Sequence, residues 1–91
     1  MNYRIIIAPE ADKILRKYKK SNPARFKKLS ALLIDISEHP RTGLGHPEPL
    51  KGGEGITYSR RISGPDRIIY DIYEDRVEVY VLDLEGHYDD K

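Results

Sequence analysis

Between Pro9 and Ile36 the apolar residues recur at helical spacing, broken once, at Ser21-Asn22-Pro23. Ala11, Ile14, Leu15 and Tyr18 fall at i, i+3, i+4 and i+7, one stripe of an amphipathic helix, while Lys13, Arg16, Lys17 and Lys20 lie largely off it. Phe26, Leu29, Leu32, Leu33 and Ile36 form a second stripe. It closes before His39-Pro40, because a residue that precedes proline is pushed out of the α region. Asn22 is placed to cap the second helix, with Pro23 at its first position. Two amphipathic helices joined by so short a link should form an antiparallel αα-hairpin. Its apolar side needs a partner.

A sheet is what the rest of the chain offers. Tyr3–Ile7 is a short β-rich run that ends at Ala8-Pro9. Residues 40–55 carry Gly43, Gly45, Gly52, Gly53 and Gly55 with Pro40, Pro47 and Pro49, a loop by composition. A loop this long in a small domain is usually functional or mobile. Three strand-like runs follow, Ile56–Ile62, Arg67–Tyr73 and Arg76–Leu84, with turns at Ser63–Asp66 and Glu74-Asp75. In the last run Val77, Val79 and Val81 should share one face. The expected fold is α+β in the order β-α-α-β-β-β. An N-terminal strand and an αα-hairpin pack on a four-stranded, mainly antiparallel sheet, within a single domain spanning residues 1–91. The helices cover one face of the sheet and leave the other free for a site.

Composition narrows the chemistry. There is no cysteine in the 91 residues, which removes disulfides, thiolate nucleophiles and cysteine metal sites. No run approaches the ~20 apolar residues of a membrane span, and nothing near the N-terminus reads as a signal peptide, so a cytoplasmic address is expected. The net charge of +1 hides an asymmetry: residues 1–30 hold nine Lys/Arg against two Asp/Glu, and residues 31–91 hold seven against thirteen. A basic first third suits a polyanionic partner, although a solvated helix surface would look the same.

Three features could carry chemistry. Arg60 or Arg61, together with Arg67, puts guanidinium groups on or beside a sheet; Asp66 and Asp71 are available to pair with them. Arg61 and Arg67 flank the turn Ser63–Asp66, so antiparallel pairing would make them neighbours. Like charges side by side destabilise a sheet unless an anion lies between them, and arginine's planar fork suits phosphate. His87-Tyr88 follows the last strand; alone it reads as surface, yet histidine is the side chain best suited to move protons near neutral pH. His46-Pro-Glu-Pro-Leu-Lys51 holds Glu48 between two prolines that stiffen its backbone, which is also how an ordinary rigid turn is built. A carboxylate, arginines, a lysine and a histidine are the parts of a metal-free ribonuclease: a base for the 2′-OH, cations for the phosphate, an acid for the 5′-oxygen. His39 and His46 are read as structural.

His46-Pro47-Glu48-Pro49-Leu50-Lys51, Tyr58-Ser59-Arg60-Arg61-Ile62, Asp66-Arg67-Ile68-Ile69-Tyr70 and His87-Tyr88, in this order and spacing, resemble the YoeB/Txe toxins of the RelE/ParE superfamily. The resemblance is close over the C-terminal half and agrees in element pattern over the N-terminal half. It departs at Tyr58, where the family usually has Trp, in the glycine-rich stretch Lys51–Gly55, and in the extra Asp89-Asp90-Lys91.

The resemblance implies a microbial-RNase-like, RelE-like fold and the toxin half of a type II toxin–antitoxin pair. The implied activity is ribosome-dependent endoribonuclease cleavage of mRNA in the ribosomal A site, with no metal and no cofactor. Glu48 would be the general base, Arg67 the transition-state stabiliser, His87 the proton donor and Tyr88 the aromatic that orients the substrate. Lys51 and Arg61 would contact phosphate. The implied partners are mRNA, the ribosome and its rRNA, a YefM/Phd-type antitoxin, operator DNA through the antitoxin complex, and a second copy in a homodimer. Other expectations for such a chain are a non-catalytic ParE-like toxin that poisons DNA gyrase, and a degenerate relative that only binds antitoxin and operator DNA.

Overall fold

A computed structural model of the chain describes residues 2–51 and 55–86. Strand β1 (Arg4–Ile7) leads directly into helix α1 (Pro9–Ser21), which is separated from α2 (Pro23–Glu38) by Asn22 alone. That one residue closes α1 through its backbone N–H to the Tyr18 carbonyl, and opens α2 through its side-chain oxygen, which accepts the Arg25 N–H at 3.3 Å. Proline at the first position of each helix removes an amide that would otherwise go unpaired.

The sheet has five strands rather than the expected four. A two-residue strand β2 (Glu48–Pro49) forms inside the glycine- and proline-rich loop and pairs antiparallel with β3 (Thr57–Ser63). Strands β4 (Asp66–Tyr73) and β5 (Glu78–Gly86) complete the order β1-β5-β4-β3-β2, in which β1 and β5 run parallel and all other pairs antiparallel. As an edge strand, β2 tolerates Pro49, whose missing N–H leaves no central ladder bond unmade.

The turn before β5 is also longer than expected. Glu74–Arg76 form a single 3-10 turn and Val77 takes φ 51°, so Val77 stands outside the strand, while Val79 and Val81 are fully buried. Further along, the β4–β5 register shifts between Ile69 and Tyr70, so that Ile69 faces Asp83 and Tyr70 faces Val81. Leu82, one residue on from buried Val81, is exposed by alternation, and the bulge returns Leu84 rather than Asp83 to the core.

Helix residues Ala11, Leu29, Leu32, Leu33 and Ile36 and sheet residues Ile62, Ile68, Tyr70, Ile72, Val79, Val81 and Leu84 make one buried cluster. Ile14, Leu15 and Tyr18 pack against its margin, completing the α1 stripe. Both stripes thus lie on one face of the sheet, and the opposite face carries no helix among the described residues. None of these helices is long and apolar enough to cross a membrane.

Candidate anion-binding cleft on the open face of the sheet

Side chains alternate along a strand, so the burial of Ile62 in the helix-covered core decides where its neighbours go. Arg60 shares the core side with Ile62; Ser59 and Arg61 belong to the open face. Across the β3–β4 hairpin, Arg61 is the register partner of Arg67, as the turn spacing implies. On the other side of β3, Ser59 is the partner of Glu48. Three strands therefore deliver Glu48, Ser59, Arg61 and Arg67 to one patch. With Pro49, Leu50 and Lys51 these residues line a cleft of about 550 Å³.

Arg67 Nη1 donates to Glu48 Oε1 at 3.1 Å. The pair is only partly shielded, with Glu48 half exposed, so it is held weakly enough to open. Arg61 is exposed beside it. Among the described residues that line the cleft, Glu48 is the one carboxylate and faces two guanidinium groups, those of Arg61 and Arg67, a cationic excess. Such a donor set attracts an anion and opposes a divalent cation. Ser59 is fully buried in the cleft wall, and its Oγ makes no hydrogen bond among the described residues.

Arg60 does something different. Its guanidinium has no exposed surface and forms an ion pair with Asp35 Oδ2 of α2. It also donates to the carbonyls of His39, Thr42 at 2.8 Å and Leu44 at 3.1 Å, and Nε donates to the Tyr70 hydroxyl at 3.0 Å. The Tyr70 hydroxyl in turn donates to the Pro40 carbonyl at 2.7 Å. Burial raises the Asp35 carboxyl. Hydrogen bonds from Arg60 and from the Leu44 N–H, with the guanidinium charge, outweigh that and hold it below the usual aspartate value. Arg60 thus pins residues 39–44, the root of the loop that carries Glu48. The Arg61 N–H extends the clasp to the Gly45 carbonyl at 2.6 Å.

The acids that the sequence offered to the strand arginines are used elsewhere. Asp66 pairs with Arg25 of α2 at 2.7 Å, and Asp71 accepts from Thr57 at 2.6 Å. Glu48 is the partner of Arg67 instead. Of the expected site residues, Glu48, Lys51, Arg61 and Arg67 come together in the cleft; His87 and Tyr88 lie outside the described residues. Ser59 escaped sequence reasoning, although its two-residue spacing from Arg61 places it on the same face. Asp35, Glu38 and His39 form a cluster of potential metal ligands at the end of α2. With Asp35 already engaged by Arg60, that cluster is poorly suited to a second cation.

The fold and the cleft define a class: a small α+β protein that presents a cationic, carboxylate-bearing cleft on the uncovered face of its sheet. A family model described as the YoeB-like toxin of bacterial type II toxin–antitoxin systems matches residues 8–88, and the chain belongs to that family. Toxin YoeB of Streptomyces coelicolor is 36% identical over 62 residues, covering 68% of this chain and 71% of the relative. The YoeB dimer from Staphylococcus aureus superimposes with a TM-score of 0.82 at 26% identity, covering 97% of this chain and all of that one. YoeB in a heterotetrameric YoeB–YefM toxin–antitoxin complex from the same organism gives 0.79 at 26% identity, with the same coverage of both chains.

Proposed function

We propose that this toxin is a ribosome-dependent mRNA endoribonuclease that acts by attack of the substrate's own 2′-OH. The observation that carries this reading is the Glu48–Arg67 pair, 3.1 Å apart and flanked by Arg61, in a cleft open to solvent. A phosphodiester entering the cleft is drawn to Arg61, Arg67 and Lys51 and competes with Glu48 for Arg67. As that pair opens, the Glu48 carboxylate is released to take the 2′-OH proton. The arginines then hold the charge that grows on the phosphate oxygens. His87 supplies the proton for the departing 5′-oxygen, and Tyr88 orients the substrate. No step calls for a metal or a cofactor.

The basic surface of the helices, including Lys13, Arg16, Lys17, Lys20, Lys27 and Lys28, would face ribosomal RNA during this reaction. A YefM/Phd-type antitoxin, the kind of partner in the YoeB–YefM complex, would silence the toxin and bring it to operator DNA. A homodimer would parallel the YoeB dimer. Primer extension on mRNA from cells expressing the toxin without antitoxin tests the activity. Cleavage within codons, lost in Glu48→Ala, Arg67→Ala and His87→Gln, is the expected result. Full toxicity in all three variants would overturn the assignment.

A further inference from the structure

The Ser59 hydroxyl stands out because it is buried and no described residue is hydrogen-bonded to it. Ser59 has no exposed surface and its Oγ has no hydrogen-bond partner among the described residues, although it lines the wall of the cleft. A buried polar group without a partner is destabilising, and native proteins retain few of them. Its register partner is Glu48, and side chains directly opposite on antiparallel strands lie within reach of each other, about 4.5–5.5 Å between Cβ atoms. Glu48 is at present turned to Arg67. Arg67 is also the group that an incoming phosphate draws away.

We infer that Ser59 is a positioning residue that exchanges partners with Arg67: when substrate takes the arginine, the Ser59 hydroxyl donates to the freed Glu48 carboxylate and fixes the oxygen that accepts the 2′-OH proton. This rests on the proposed nuclease reading. It accounts for a hydroxyl unpaired in the resting toxin, because Glu48 is released to it only when substrate takes Arg67. A carboxylate on an exposed two-residue strand has few other restraints, and loss of orientation at a base is expensive in rate.

The test is Ser59→Ala and Ser59→Thr, assayed by single-codon mRNA cleavage on programmed ribosomes, alongside thermal unfolding of the isolated toxin. Ser59→Ala removes an unpaired buried hydroxyl, so its Tm should equal or exceed the parent's. Its kcat should fall about tenfold with KM within about twofold, and Ser59→Thr should restore most of the rate. In a Glu48→Gln background the same alanine change should alter the residual rate less than about twofold, since the two groups act as one unit. An unchanged kcat in Ser59→Ala, a fall in Tm that accompanies the loss, or full additivity with Glu48→Gln each overturns the proposal. A parent toxin that does not cut mRNA at all would instead defeat the nuclease reading, and the Tm comparison still tests the unpaired hydroxyl.

Discussion

Arg60 and Arg61 are adjacent in β3 and lie on opposite faces of the sheet: Arg60 has no exposed surface, while Arg61 opens onto the cleft. The same side chain chemistry therefore serves two purposes one residue apart. Truncating the fully buried Arg60 leaves the partly buried Asp35 without its counter-charge and frees three loop carbonyls, so Arg60→Ala should cost about 3–5 kcal/mol and leave little folded toxin. Arg61→Ala removes an exposed charge from beside Arg67 and should leave stability within about 0.5 kcal/mol while mRNA cleavage falls. Urea unfolding with a cleavage assay on both variants separates the roles. Equal stability losses would contradict the two-face assignment.

The Tyr70 hydroxyl bridges the Arg60 guanidinium and the Pro40 carbonyl, at 3.0 and 2.7 Å. Tyr70→Phe keeps the ring and its packing on Tyr58, with centroids 6.3 Å apart, but strands two buried groups. A loss of about 1–3 kcal/mol is expected, measurable by chemical denaturation. A change under about 0.5 kcal/mol would mean that residues 39–44 are held by other contacts.

These two residues also mark how far the sequence could be read. Both helices were legible because a 3.6-residue stripe and the Asn22-Pro23 signal act locally. The β3–β4 hairpin was legible from its turn, and with it the opposition of Arg61 and Arg67. Strand β2 was not, because two residues between prolines have no periodicity and become a strand only through pairing with β3. Leu82 faces away from the core by simple alternation with Val79 and Val81, but the burial of Leu84 in place of Asp83 depends on a register shift that no local pattern announces. Composition alone does not separate Arg60 from Arg61, whereas alternation anchored on Ile62 does. The spacing of Ser59 from Arg61 marks its face, but not its missing partner, which is a property of the packed molecule.

Asp35 gives the fold a specific acid sensitivity. Its folded carboxyl is held below the usual value, burial raising it and the bonds from Arg60 and the Leu44 N–H lowering it by more. The stabilisation is complete above the unfolded aspartate value of about 3.9 and is lost as pH falls through the lowered folded value. Asp35→Asn should therefore be less stable than the parent at neutral pH, and the gap should narrow below about pH 4 as the parent loses the same charge. Denaturation midpoints between neutrality and pH 2 check this. A gap that stays constant throughout would remove Asp35 as its source.

Gly45 tests whether the clasp under the loop matters to the cleft. It sits at φ +78°, and a Cβ there would lie 2.8 Å from the Arg61 carbonyl oxygen, a backbone atom that cannot swing aside. Gly64, at φ +53° in the β3–β4 turn, has nothing within 4 Å of the same position and so isolates the conformational penalty. Gly64→Ala should cost about 1–2 kcal/mol from the left-handed backbone alone. Gly45→Ala carries that penalty and the clash, and should cost at least about 1 kcal/mol more. The clash also pushes on the Arg61 N–H bond to the Gly45 carbonyl, three residues before Glu48. Cleavage by the folded fraction of Gly45→Ala should drop several-fold, while Gly64→Ala retains the parent rate once corrected for folded protein. Equal rates per folded molecule would show that the loop root and the cleft are mechanically independent.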